Sequence, residues 1–288
     1  MPIGAESVSE KISREYYNLT GAEKKAADYI LENQQKVQFM SISELAEACG
    51  VAEATVSRFC RRLGYKGYNA FKLAVAQSLA ALRGSGASPM SGHVRTGDSL
   101  EESCLMLHAA GVAALDQTME LMTPETVYAA VELLEKAGKV LCMGQGGSML
   151  LAQAAAHQFS SASGKFFAVG DSHMQVMAAA NLEKDDVVLF FSYSGSTRDM
   201  MDTLALARER GAKCVLVTRF PKSPGAALAD VVLQCGADES PLQVGSAQAK
   251  IAQIYVIEVL FYELCKRRAE DTRQRRNRVA RALADKHV

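Results

Sequence analysis

Five short apolar runs recur through the second half of the chain, and their spacing constrains the fold more than any other feature. They fall at 140–143, 166–169, 187–191, 214–218 and 231–234. Helix-length segments separate the first four, at 148–162, 173–181 and 197–210. The last interval, PKSPGAALAD, is shorter and marked by prolines. Continuous apolar strands alternating with helices predict a parallel sheet with helices on both faces. Two helices are expected before it, at 100–122 and 124–136, with Pro124 suited to the first turn of the second. A long helix is expected after it, at 246–268.

The first part of the chain reads differently. Residues 21–37 carry Ala26, Ala27, Ile30 and Leu31 at helical spacing, with Thr20 and Glu23 placed for a capping box. SISELAEACGVAEATVSRFCRRL at 41–63 predicts a helix, a tight turn and a second helix. Leu45, Ala46 and Cys49 face inward on the first, and Gly50 ends it as a residue tolerant of left-handed backbone. Val51 packs into the turn. Val56, Phe59, Cys60 and Leu63 form the buried stripe of the second, and a further helix runs from Tyr68 to Leu82. The turn-rich stretch GSGASPMSG then breaks the pattern. The expected division is an all-α domain at 1–83, a linker at 84–99, an α/β domain at 100–268 and a basic C-terminal tail at 269–288.

Charge separates the two parts. The 288 residues carry no formal net charge. Between Ala54 and Gly97, however, there is no Asp or Glu, while Arg58, Arg61, Arg62, Lys66, Lys72, Arg83 and Arg95 all fall there. A basic block beside a helix-turn-helix pattern predicts a face for double-stranded DNA. Thr55 suits a thymine methyl or a phosphate, Ser57 a base edge or a phosphate, and Arg58 a bidentate grip on guanine. Arg61, Arg62 and Lys66 suit the backbone phosphates. Glu53 runs against this trend at the start of the second helix.

Two loops at strand ends point to a small anion. The first strand runs into GQGGS at 144–148, and the third into SYSGST at 192–197. Glycines such as Gly146 let the backbone approach a ligand, and helix starts offer free N–H groups and partial positive charge. Ser148, Ser192, Ser194, Ser196 and Thr197 add hydroxyl donors. Loops following strands 1 and 3 of such a sheet meet where the strand order reverses. A cap accounts for one hydroxyl, at Thr197, but not for the others.

The seven cysteines and five histidines are scattered, with no C-x-x-C pair and no metal-ligand spacing, so reduced, buried thiols are expected and neither a metal nor a cofactor. No run approaches the length of a membrane span, and no signal-peptide core opens the chain, so a cytoplasmic protein is expected.

TVSRFCRRLGYKGYNAFK at 55–72 resembles the helix-turn-helix segment of RpiR-type bacterial transcriptional regulators. GQGGS and SYSGST resemble the sugar isomerase (SIS) domain that those regulators carry behind it. The resemblance extends over about 1–80 and 125–265. It implies a five-stranded flavodoxin-like parallel sheet and a homodimer or homotetramer formed through SIS domains. It also implies a sugar phosphate held by Ser148, Ser192, Ser194 and Thr197, with Tyr193 and Gly195 contributing backbone. Where many relatives carry Ser-Arg near the start of the long C-terminal helix, this chain has Ala249-Lys250, so Lys250 offers a charge without the guanidinium fork. The function so implied is a DNA-binding regulator whose grip on an inverted-repeat operator is modulated by a phosphorylated sugar. The rival reading is a phosphosugar isomerase or another SIS-domain enzyme; for isomerisation Glu258, His157 and His173 are the available acid–base groups.

Overall fold

A computed structural model describes residues 7–83, 97–239, 241 and 246–284, with the side chains of 81–83 left aside. The linker expected at 84–99 therefore lies outside the described residues except for its last three. The chain forms two compact units, one within Met1–Ala110 and Asp238–Ser246 and the other within Gly111–Ala237 and Ala247–Val288.

The first unit is helical. Its elements are α1 (Val8–Glu15), a 3₁₀ turn at Tyr16–Asn18, α2 (Gly21–Glu32), α3 (Gln34–Val37), α4 (Ile42–Cys49), α5 (Glu53–Arg62) and α6 (Tyr68–Arg83). Capping boxes open α2 and α4: the Thr20 and Ser41 hydroxyls accept from Glu23 and Glu44 N–H, and those carboxylates accept from the Thr20 and Ser41 N–H. The single helix expected over 21–37 is two. Asn33, at φ −123°, ends α2 by donating its side-chain amide to the Tyr29 carbonyl at 3.0 Å. An Asn competes with the helix for its own carbonyls, and apolar spacing alone does not reveal that. Val8, Ile12, Ile30, Leu45, Val56, Phe59 and Phe71 make the core. Phe59 and Phe71 meet edge to face at 6.0 Å. Emptying the fully buried Phe59 position to Ala would cost about 3–5 kcal/mol.

The second unit takes in the end of α7 (Leu100–Leu121), then α8 (Pro124–Lys136), β1 (Val140–Gly144), α9 (Ser148–Ser160), β2 (Phe166–Val169), α10 (Ser172–Ala180), β3 (Val187–Phe191), α11 (Arg198–Glu209), β4 (Lys213–Thr218), a 3₁₀ turn at Ala226–Leu228, β5 (Val231–Gln234), α12 (Ala247–Arg267) and α13 (Ala269–Ala284). All neighbouring strands pair in parallel in the order β2-β1-β3-β4-β5. This is the expected flavodoxin-like sheet, and its order reverses between β1 and β3. Alternate residues of the strands serve opposite faces. Val140, Cys142, Leu189, Phe191 and Val217 pack with α8, α9 and α12, while Leu141, Met143, Phe190 and Leu216 pack with α10 and α11. Burial on both faces is why β1, β3 and β4 read as unbroken apolar runs, whereas the edge strands β2 and β5 are only partly covered. Residues 269–284 of the basic tail form α13, whose Arg273 and Arg275 pair with Glu270 and Asp271.

Cys49, Cys60, Cys142, Cys214 and Cys235 are buried as expected, but Cys104 is exposed on α7 and Cys265 is partly so. Among the described residues, no cluster of three or more His, Cys, Asp or Glu is placed to hold a metal ion, and no helix is long and apolar enough to cross a membrane.

Candidate functional site

The turn between α4 and α5 is closed by local chemistry. Gly50 adopts φ 62°, ψ 42°, and Val51 N–H reaches back to the Ala46 carbonyl at 2.9 Å. This closure turns the chain sharply and lets α5 start at Glu53. The Ser43 hydroxyl then donates to the Glu53 carboxylate, tying the two helices and partly satisfying that acid. Ala54, Arg58 and Arg61 lie at helical spacing and are all exposed, so α5 presents a basic outer face. Ser57 is half-buried beside them. Thr55 is buried, and its hydroxyl accepts from the Arg58 guanidinium at 3.3 Å, which holds that side chain along the helix. Lys66 is exposed beyond the end of α5. Arg62 is engaged elsewhere: it pairs with the Glu23 carboxylate at 3.3 Å and donates to the Asn18 carbonyl at 3.2 Å. It fastens α5 to α2, and sequence spacing gives no hint of that.

In the second unit, strand register sets the geometry. Gly144 at the end of β1 is the Cα partner of Phe191 at the end of β3. The GQGGS and SYSGST loops therefore leave adjacent strands at one level, a single interstrand spacing of about 4.8 Å apart. Gly144 has no room for a side chain, since a Cβ there would stand 2.5 Å from the Ser148 carbonyl oxygen. Gly146 takes φ 53°, and Gly147 caps α9 with no side-chain acceptor. Ser148 opens α9 and is half-buried. Lys250, from α12, lies over this loop, its Cε 3.7 Å from where a Gly147 side chain would begin.

The second loop is a tight turn. The Ser192 hydroxyl accepts from Gly195 N–H at 3.2 Å, and the Ser194 hydroxyl accepts from Ser196 N–H at 3.3 Å. A hydroxyl that accepts keeps its own hydrogen to donate. Gly195 sits at φ 57°. Thr197 occupies the N-cap of α11, but its hydroxyl makes no cap bond. By contrast α8 and α10 are capped by the Thr123 and Asp171 side chains. No cap side chain occupies the first turn of either helix behind the loops. At α9 the Ser148 and Met149 N–H groups donate to the Gln145 and Gly146 carbonyls of the loop itself, and the positive end of each helix favours an anion.

Supporting residues surround the loops. Gln175, fully buried on α10, donates to the Gly144 and Val169 carbonyls at 3.0 and 2.9 Å and accepts from the Gln145 amide at 2.7 Å. Thr218, Arg219 and Gly225 fix the second loop from β4 and beyond. The Thr218 hydroxyl and Arg219 N–H donate to the Tyr193 carbonyl, and Gly225 N–H donates to the Gly195 carbonyl. The sequence marked this stretch only as a short, Pro-bearing connection. Its Ser and Gly residues were the available signal. Gln175 gave none beyond being an amide in an apolar helix. The acid–base candidates for isomerisation do not gather at the loops as a buried group: His157 and His173 are exposed, and Glu258 is exposed and accepts from Gln158.

A helix-turn-helix unit on one chain with a parallel sheet whose two loops meet at the switch point has the architecture of a transcriptional regulator. Residues 6–82 match the helix-turn-helix domain of the rpiR family, and residues 133–262 match the SIS domain. HexR of Pseudomonas aeruginosa, an HTH-type transcriptional regulator, is 33% identical over 95% of this chain and 94% of its own. HexR of Escherichia coli is 30% identical over 96% and 94%. The NanR protein of Vibrio vulnificus, solved in complex with ManNAc-6P, superposes with a TM-score of 0.86 at 27% identity, covering 97% of this chain and 99% of that one. The chain belongs to the RpiR family of HTH-type transcriptional regulators, with a SIS domain as its second unit.

Proposed function

We propose that this regulator binds a phosphorylated sugar between the 144–148 and 192–197 loops and reports that occupancy to DNA held by α5. The observation that carries the reading is the pairing of Gly144 with Phe191, which sets the positive ends of two helices without side-chain caps side by side, with Lys250 over one of them. A cation at the positive end of a helix is unfavourable by itself and becomes favourable when an anion joins the two. Gly146, Ser148, Ser192, Ser194 and Thr197 then supply amides and hydroxyls to the phosphate, and Tyr193 and Gly195 shape the turn. That NanR was solved with a phosphorylated amino sugar supports the class of ligand.

On the DNA side, Arg58 and Ser57 read base edges while Arg61 and Lys66 contact phosphates. The protein acts in the cytoplasm as a homodimer or homotetramer formed through its SIS domains. Two heads spaced by one helical turn, roughly 34 Å, require an inverted-repeat operator. The reading is of a regulator and not an isomerase, because exposed His157, His173 and Glu258 offer no shielded acid–base pair. Calorimetric titration with a panel of hexose and amino-sugar phosphates, repeated with Ser194→Ala, tests the site. A saturable phosphosugar lost in the variant is expected. Retention of full affinity in Ser194→Ala would move the site elsewhere.

A further inference from the structure

Tyr193 lies between two serines of the second loop, yet its side chain points away from them. Its hydroxyl donates to the Ala237 carbonyl at 2.8 Å, and its ring meets Phe220 edge to face at 5.7 Å. Ala237 is buried and takes φ 76°, the sole positive φ of a non-glycine among the described residues. An L-residue keeps such a conformation only where its neighbours over-determine it, and such positions concentrate at switch segments.

The neighbours are on α7. Ala237 N–H donates to the Gln117 side-chain oxygen at 3.0 Å. Gly236 N–H donates to the Thr118 hydroxyl at 2.9 Å, and that hydroxyl, fully buried, donates to the Ala114 carbonyl at 2.6 Å. A Cβ on Gly236 would stand 2.5 Å from Gln117 Cβ and 2.7 Å from the Thr118 nitrogen, so the strand end is pressed directly against the helix. An unbroken run of hydrogen bonds therefore links the loop to Ala237 and Ala237 to α7, the helix that begins at Leu100.

We infer that Tyr193 is a positioning residue that transmits the state of the 192–197 loop through Ala237 and Gln117 to α7. This rests on the phosphosugar reading above. A loop drawn toward a phosphate pulls the Tyr193 hydroxyl against the Ala237 carbonyl. Leaving the left-handed region would relieve the Ala237 backbone, and that change is the two-state element such coupling requires. A hydroxyl that only satisfied a buried carbonyl would affect stability and leave the coupling between ligand and DNA unchanged.

The test uses the full chain, an operator selected from random duplex DNA by the unaltered protein, and N-acetylmannosamine 6-phosphate and glucose 6-phosphate as probes. In Gln117→Leu, probe affinity is expected to stay within about twofold while the probe-induced change in DNA affinity falls about fivefold or more. Gln117→Glu keeps an acceptor for Ala237 N–H and is expected to retain the response. A Gln117→Leu response equal to that of the unaltered chain overturns the inference. If the unaltered chain binds neither probe, the phosphosugar reading loses its support and the relay is judged without ligand. Amide hydrogen exchange at 114–121 should then be about tenfold faster in Tyr193→Phe while exchange in β1 and β3 is unchanged, and either unchanged protection at 114–121 or a rise spread evenly over the sheet overturns the relay.

Discussion

Ser223 occupies the place where a side chain on Gly195 would stand: a Cβ there would meet the Ser223 hydroxyl oxygen at 2.1 Å and the Thr218 hydroxyl at 3.0 Å. Gly225 N–H closes the same contact by donating to the Gly195 carbonyl at 2.9 Å. The loop after β4 thus holds the loop after β3, and the glycine is required twice over, by its φ of 57° and by the absence of space.

Gly195→Ala should therefore do more harm than Gly146→Ala. Both residues have positive φ, but nothing lies within 4 Å of a Cβ on Gly146. Thermal unfolding should show a loss of about 1–2 kcal/mol for Gly146→Ala, the backbone cost alone. Gly195→Ala should lose clearly more, because Ser223 must also move. Equal losses would mean that the β4 loop yields freely and does not hold the turn.

Lys250 brings a positive charge over the first loop, its Cε 3.7 Å from where a Gly147 side chain would begin. Lys250→Ala should weaken phosphosugar binding by about tenfold to a hundredfold, the worth of one charge-assisted contact. Selected-operator affinity without ligand should be unchanged. A variant that binds phosphosugar normally would show that the ammonium points away from the anion.

Arg58 and Arg62 are four residues apart on α5 and are expected to behave differently. Arg58 is exposed on the basic face, whereas Arg62 is committed to Glu23 and the Asn18 carbonyl. Arg58→Ala should cost about 1–3 kcal/mol of operator binding and relax specificity at one base position. Arg62→Ala should lower thermal stability by no more than about 1 kcal/mol, since the pair is partly exposed, with a smaller effect on DNA. Gel-shift titrations and melting curves on both variants decide it. A larger DNA defect for Arg62→Ala would reverse the assignment.

Much of this architecture was legible because local and global signals agree. The five apolar runs became the five strands within one residue; β1, β3 and β4 are apolar because they are buried on both faces, and β2 and β5 were marked by their apolar run alone. Gly50 and Thr20 announced their turn and cap for the same local reason. The loop serines were visible because they follow strands directly. What the sequence did not disclose depends on distant partners. Arg62 reads as one more basic residue until Glu23 stands beside it, 39 positions away. Tyr193 reads as part of a loop until Ala237 is found at its hydroxyl, 44 positions on. Asn33 was missed because a helix-breaking side chain was outvoted by apolar spacing.

Thiol reactivity should follow burial. Cys60, Cys142 and Cys214 are buried, and burial pushes each thiol up to about 12, so almost no thiolate is present at neutral pH. Cys104 is exposed on α7. Mass spectrometry after brief native alkylation should find Cys104 modified first and these three protected until the chain unfolds. Early modification of Cys142, in the middle of β1, would contradict the packing of the sheet.

Acid should loosen the first unit through Glu23. Burial alone would raise its pKa, but the Thr20 N–H and hydroxyl and the Arg62 guanidinium outweigh it and hold the carboxyl below its ordinary 4.5. A folded-state pKa below the unfolded one contributes stability that is fully present above the unfolded value and lost as pH falls through the folded one. Glu23→Gln should therefore melt at a lower temperature than the unaltered chain near neutrality, and the gap should close as the pH falls below the ordinary carboxylate value and through the lowered folded-state one. A gap that stays constant across that range would show that the ionised carboxylate contributes nothing to the junction of α2 and α5. The side chain's value there would then lie in packing and neutral hydrogen bonds.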